Sequence, residues 1–269
     1  MGENMLTTQF LKTRTSTRDF KDMDLKKEDL EKLEKIIDSE IIKLGKDDLA
    51  FVLQTDGDAV YKALDGKAGY RGVMIKAPAY LALNTLNDNP ASLVKGAYGV
   101  EEIITELDKM GIGNCWITVA DVEYTAKKAA FAYDKGEVSL LLAIGYPVDE
   151  SLREHKFDDR KGIGEFVFID KLGNKATNEE LEQRGLDEIF SYARFAPSAY
   201  NAQPWRFVLV EDLIKLYIED YKGSVNLLDA GIIMYYLDKL GESISMGSNW
   251  DIKPEINDEK YVYIASKQL

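Results

Sequence analysis

Apolar residues recur at helical spacing at Leu30, Leu33, Ile37, Ile41 and Leu44, with Lys and Glu dense on the other face. That pattern predicts an amphipathic helix with a solvated outer side, stopped by Gly45. A short helix is also predicted over 7–12. A brief apolar run at 50–54 reads as a strand, and the Gly- and Asp-rich 56–72 as loop or short helix. The run A-Y-L-A-L-N-T at 79–85 reads as a core strand. Asn89-Pro90 then supplies a helix cap and a first-turn proline. Leu93, Ala97, Val100, Ile104, Leu107 and Met110 form a helical stripe closed by Gly111. A helix is predicted over 121–133 and a buried strand over 138–146, ending at Pro147. A charged linker spans 148–164. Thr177-Asn178-Glu179-Glu180 is a capping box, predicting one helix that runs to Phe195. Phe207-Val208-Leu209-Val210 reads as a buried strand, 225–240 as an apolar helix stopped by Gly241, and 261–266 as a final strand.

The pattern contains an echo. Leu107-Asp108-Lys109-Met110-Gly111 returns as Leu237-Asp238-Lys239-Leu240-Gly241, each copy ending a long apolar helix. Each helix is expected to follow a core strand, 79–85 in one half and 206–210 in the other. Matching element order favours an internal duplication over chance. The expected division is 1–150 and 151–269, two halves intimately packed as one unit.

Composition narrows the function. The chain has 269 residues and a net charge of −13, which disfavours nucleic acid and anionic membrane as partners. Any anionic cofactor must then rely on a local cluster of Arg or Lys. The single cysteine, Cys115, excludes an intrachain disulfide and fits a reducing compartment. The first residues, M-G-E-N-M-L-T-T-Q-F, lack the pattern of a signal peptide. No apolar stretch reaches membrane-spanning length. The expectation is a cytoplasmic protein. There is no metal-ligand spacing, no Ser–His–Asp set and no phosphate-binding loop of the G-x-x-x-x-G-K type. The only histidine, His155, falls in the linker and reads as exposed.

Two short stretches carry chemistry. The first is A-P-S-A-Y-N-A-Q-P-W-R-F at 196–207. Its prolines end regular helix on both sides of a small polar segment. Ser198, Asn201 and Gln203 can each donate and accept hydrogen bonds. A rigid polar turn thus joins a helix end to a core strand. The second is R-T-S-T-R at 14–18, where two β-branched threonines disfavour helix. If extended, it points Arg14, Ser16 and Arg18 to one side, a set that suits a phosphate.

The P-S-A-Y-N-A-Q-P-W turn resembles the signature of the FMN-dependent nitroreductase family. R-T-S-T-R is similar to that family's R-R-S-x-R phosphate clamp, with Thr15 in place of the second arginine. The resemblance implies that Pro197, Ser198, Ala199, Asn201 and Gln203 hold the flavin, and that Arg14, Thr15, Ser16 and Arg18 hold its phosphate. It further implies roles for Tyr70 and Arg71, for Arg160 after the closing strand, and for Ile117 and Thr118 beside the flavin ring. The last two follow G-I-G-N-C-W, which is no dinucleotide fingerprint; Cys115 reads as a small core residue. Family members are usually homodimers with flavin sites at the subunit interface. Here the clamp lies in the first half and the turn in the second. The implied fold is therefore α+β, a nitroreductase-like tandem pseudo-repeat forming an intrachain pseudo-dimer around a mostly antiparallel sheet, with one composite site.

The activity so implied is hydride transfer from NADH or NADPH through FMN to a nitroaromatic, quinone or similar small electron acceptor, by ping-pong. It needs no protein nucleophile, catalytic side chain or metal. A monomeric pseudo-dimer is expected, with further self-association open. Two alternatives remain open at this point: a flavin-binding storage or sensing protein without turnover, and a scaffold without flavin. Dehalogenation or flavin breakdown on the same fold are further chemistries of the enzyme class.

Overall fold

The computed structural model describes residues 9, 11–133, 135–149, 159–244, 246 and 249–269. His155 and Asp158, with most of the linker between 149 and 159, lie outside them. The chain divides into two compact units: Thr15–Arg153 is one, and Met1–Arg14 joins Glu154–Leu269 in the other. The boundary so drawn passes between Arg14 and Thr15, inside the R-T-S-T-R stretch.

The unit Thr15–Arg153 contains α1 (Lys27–Leu44), β1 (Leu49–Gln54), α2 (Gly57–Leu64), β2 (Ala79–Thr85), α3 (Pro90–Lys109), β3 (Gly113–Ile117), α4 (Tyr124–Phe131) and β4 (Glu137–Gly145). Helical periodicity places Leu33 and Ile37 of α1 inside, and Gly45 ends that helix at φ 100°. Asn89 caps α3 by accepting from the Ala91 N–H, with Pro90 in the first turn. Gly111, at φ 69°, lets the chain reverse after α3. The strands form an antiparallel sheet in the order β1-β2-β4-β3. β2 and β4 lie in the middle and are buried almost throughout, as their near-continuous apolar runs require. Val60, Leu64, Tyr80, Ile117, Phe131 and Leu141 belong to the core on the α2 and α4 face.

The opening of α2 is a tight fit. A Cβ on Gly57 would stand 2.1 Å from the Ala77 carbonyl oxygen. The neighbour is backbone, so it cannot rotate away. Gly57→Ala is expected to destabilise the protein by about 2 kcal/mol through overpacking, read as a lower midpoint in urea unfolding with unchanged slope.

The other unit contains α5 (Ile163–Phe166), β5 (Val167–Ile169), α6 (Asn178–Gln183), α7 (Asp187–Ala193), a 3₁₀ turn (Ala199–Asn201), β6 (Trp205–Val210), β7 (Leu213–Glu219), α8 (Ser224–Gly241), a second 3₁₀ turn (Glu242–Ile244), β8 (Asp251–Ile252) and β9 (Tyr261–Gln268). Its sheet runs β5-β6-β7-β9-β8, with β5 parallel to β6 and the other pairs antiparallel. The capping box at Thr177 is present, its hydroxyl accepting from the Glu180 N–H. The single helix expected from there to Phe195 is instead two, α6 and α7. Gly185 at φ 67° breaks it, and Leu186 turns inward at 0% exposure. Helix α8 is apolar all round and buried on nearly every side. Its buried Asp238 pairs with Lys267 of β9 at 2.6 Å and also accepts the Trp250 indole N–H at 2.8 Å.

The α+β class holds, and the antiparallel strands make two sheets, one in each unit. Their connections correspond. In one, β2 leads through α3 to β3 and returns as β4 beside β2. In the other, β7 leads through α8 to β8 and returns as β9 beside β7. The strand that precedes α8 is thus β7, where the sequence reading had 206–210.

Candidate functional site

The turn between α7 and β6 stands in an unusual backbone state. Tyr200, Asn201 and Gln203 all have positive φ, at 55°, 54° and 48°. Left-handed backbone is costly for residues with a Cβ, and persists where the surroundings over-determine it. Those surroundings are visible. The Asn201 N–H donates to the Ser198 carbonyl at 3.0 Å and the Ala202 N–H to the Ala199 carbonyl at 3.0 Å. The Gln203 N–H donates to Ser198 Oγ at 3.0 Å. Trp205, 0% exposed, anchors the far end in β6.

The polar side chains of the turn grip a second segment. Asn201 Nδ2 donates to the Asp159 carbonyl at 2.8 Å. Gln203 Nε2 donates to the same carbonyl at 3.1 Å and to the Asn201 carbonyl at 3.2 Å. Gln203 Oε1 accepts from the Lys161 N–H at 2.8 Å. Gln203 is only 4% exposed, so these bonds satisfy an otherwise expensive buried amide. The Gln203 carbonyl collects Lys161 Nζ at 3.2 Å and Arg206 Nη1 at 3.0 Å. Burial, and secondarily the positive charge of Arg206, lower the Lys161 pKa.

Between the two gripped residues sits Arg160. Its Nη1 donates to the Ala196 carbonyl at 2.9 Å. Burial is the first cause of its lowered pKa, opposed by Tyr236 and by the neighbouring carboxylate of Asp159. The like charges of Arg14 and Arg194 lower it further. Arg14, Arg160 and Arg194 therefore gather beside the turn, and Arg14 is 6% exposed. Positive charges within electrostatic reach of one another and partly shielded from water suit an anion with several oxygens, such as a phosphate monoester.

Beneath the turn, α8 presents Asp229. Its Oδ1 accepts from the Ala199 N–H at 2.9 Å, while Oδ2 has no hydrogen-bond partner among the described residues. Burial pushes this carboxyl up to about 7, against the Ala199 N–H and the Asn226 amide, which favour the charged form. A raised pKa in the fold means stability that is present in acid and lost as pH rises through about 7. Asp229→Asn keeps an acceptor for Ala199 and removes the charge. It is expected to raise stability by about 2 kcal/mol at pH 8, with the gain vanishing toward pH 4, as read by denaturant unfolding at both values.

The remaining sequence candidates lie in the unit Thr15–Arg153. Thr15 and Arg18 are exposed and Ser16 half-buried. Thr17 donates its N–H to the Asn114 carbonyl at 2.8 Å, laying this stretch against the start of β3. At the other end of β3, Ile117 is 2% exposed. The Thr118 carbonyl there accepts from the Gly69 N–H at 2.9 Å. Gly69 leads into Tyr70 and Arg71. The Arg71 guanidinium lies 5.2 Å from the centre of the Tyr70 ring, and Tyr70 is 57% exposed. Within this unit, then, 70–71 and 117–118 come together. In the other unit, Arg14 and Arg160 come together beside 196–203.

Two residues of the site escaped sequence reasoning. Arg194 was absorbed into the predicted helix, although its place just before the polar turn was a usable signal. Asp229 was an acid in an apolar helix, and that mismatch was the only sign of it. Among the described residues no group of three or more His, Cys, Asp or Glu could hold a metal, and no helix is long and apolar enough to cross a membrane.

Comparison with known proteins gives this arrangement a lineage. The family model described as "Putative TM nitroreductase" matches residues 7–239. A crystal structure described as "a putative nitroreductase" from Thermotoga maritima aligns with 96% of this chain and 93% of its own, at 18% identity and a TM-score of 0.59. An FMN-dependent nitroreductase from Clostridium difficile covers 56% of this chain and 92% of its own, at 21% identity and a TM-score of 0.46. The NfrA1 nitroreductase of Bacillus subtilis covers 66% and 79%, at 16% identity and a TM-score of 0.49. No curated protein matches the chain. The family model spans most of the chain and includes both the arginine-bearing N-terminal stretch and the polar turn: this protein belongs to the TM1586-type nitroreductase family and is a nitroreductase-like oxidoreductase.

Proposed function

We propose that the chain binds FMN and uses NADH or NADPH to reduce a small conjugated acceptor, a nitroaromatic or a quinone. The observation that carries this reading is Arg160, clasped by the turn through both flanking residues and set among the charges of Arg14 and Arg194. In a chain of net charge −13 such a cluster is a local exception. Its donor set fits the phosphate of FMN.

When bound, FMN supplies the two-electron chemistry between nicotinamide and acceptor. This chain's residues bind and orient. Arg14 and Arg160 hold the phosphate; Ser16 and Arg18 follow Arg14 in sequence and are further candidate contacts. The turn residues Pro197, Ser198 and Ala199 present backbone and hydroxyl groups to the cofactor. Asn201 and Gln203 act mainly by holding Asp159 and Lys161, and so fix Arg160. Thr15, Tyr70, Arg71, Ile117 and Thr118 are the other candidate cofactor contacts, and none of them belongs to the arginine cluster. Reductant and acceptor would take turns at one face, without a protein nucleophile. Thiol chemistry plays no part, because Cys115 is buried. We place the enzyme in the cytoplasm, as a single chain sufficient for activity.

The test is a visible spectrum of the protein after FMN loading and gel filtration, followed by anaerobic titration with NADH and NADPH. One flavin per chain, bleached by a nicotinamide and restored by a quinone or nitro compound, is the expected result. Parallel double-reciprocal lines would support alternating occupancy. A colourless protein after loading overturns the reading.

A further inference from the structure

The nitroreductase reading gives no task to the acid under the turn. Asp229 is 2% exposed. Its Oδ1 accepts a hydrogen bond from outside the helix, from the Ala199 N–H, the first residue of the 3₁₀ turn. Tyr200 and Asn201 follow at once in left-handed backbone. Asn201 and Gln203 then hold the Asp159 carbonyl, and Gln203 holds the Lys161 N–H, leaving Arg160 fixed between them. An unbroken series of hydrogen bonds and peptide links thus runs from Asp229 to the Arg160 guanidinium.

We propose that Asp229 is a positioning residue for the anion site: its ionised carboxylate tethers the Ala199 N–H, and through the turn sets the place of Arg160. This deepens the nitroreductase reading and rests on it for the identity of the anion.

The chemistry favours such a coupling. An ionised acceptor makes a hydrogen bond roughly twice as strong as a neutral one. No charged side chain contributes to the balance at Asp229; only burial, the Ala199 N–H and the Asn226 amide act on it. The carboxyl changes state near pH 7, where its tether to the turn tightens or slackens. A buried acid without a charged partner costs stability at neutral pH, and the hydrogen bond it makes outside its own helix is to the segment that carries the site.

The test uses the full chain and needs no flavin for its first arm. In ¹⁵N-labelled protein, the Ala199 amide and Arg160 Nε–H resonances are followed from pH 5.5 to 8.5, in wild type and Asp229→Asn. Both resonances are expected to titrate together with a midpoint near 7 in wild type, and both to lose that step in Asp229→Asn. A step at Ala199 with none at Arg160 overturns the coupling, as does a step at Arg160 that survives in Asp229→Asn. The second arm measures the FMN dissociation constant at pH 6 and pH 8. Wild type is expected to gain several-fold more affinity on going to pH 8 than Asp229→Asn does. This ratio cancels the ionisation of the phosphate itself. An equal pH dependence in the two proteins overturns the proposal. If neither protein binds FMN, the cofactor assignment fails, and the first arm alone decides the role of Asp229.

Discussion

Arg160→Ala should weaken FMN binding on the order of a hundredfold, about 3 kcal/mol, while leaving the melting temperature within about 2 °C of wild type. The large effect on affinity follows from losing a desolvated guanidinium aimed at an anion. The small effect on the fold follows from what the side chain gives up: one hydrogen bond to the Ala196 carbonyl, and repulsion from Arg14 and Arg194 that the substitution relieves. Arg160→Lys should recover only part of the affinity, since an ammonium lacks the planar fork. Fluorescence titration of FMN checks both variants. If Arg160→Ala binds FMN as wild type does, the arginine cluster is not the phosphate site. The same variant with a large loss of stability would instead mark Arg160 as a structural residue.

Gln203→Ala should damage both fold and site. The amide makes side-chain hydrogen bonds to the Lys161 N–H and to the Asp159 and Asn201 carbonyls. Truncation leaves the Lys161 N–H without its acceptor and removes the other two bonds, at a cost of about 2 kcal/mol, while the Asp159 carbonyl keeps Asn201 Nδ2. It also frees the segment that carries Arg160. The expected outcome is a lower midpoint in urea unfolding together with FMN affinity reduced at least tenfold. Gln203→Glu discriminates position from charge. It keeps the acceptor for Lys161 and removes the donor for Asp159. If Gln203→Ala costs stability and leaves FMN affinity unchanged, the turn does not position the cofactor site.

Much of the fold was legible because periodicity decides it. The strand at 79–85 and the stripe from Leu93 to Met110 landed where their patterns put them. The long helix from Thr177 failed at Gly185, where one residue of backbone freedom ends the helix that the capping box begins. Strand β7 was partly there to be read: L-I-K-L-Y-I-E puts Ile214, Leu216 and Ile218 on one face, and these are the residues that are buried. The polar turn stood out in sequence because so many hydrogen-bonding side chains between two prolines have no propensity reason. What its side chains touch could not be read, since Asn201 and Gln203 find their partners 42 and 44 positions away. Asp229 was hidden by its neighbours, a carboxylate within a helix that otherwise reads as core.

The N-terminal residues belong to the unit formed by the C-terminal half. Leu11, 0% exposed, and Arg14 lie before the point where the chain enters its other unit. A gene cut at the charged linker would therefore yield a C-terminal product stripped of its own first segment. Isolating that product in folded form calls for the missing peptide, grafted past residue 269 or added in trans. A binding assay on the amputated piece would report a defect of engineering, not of chemistry.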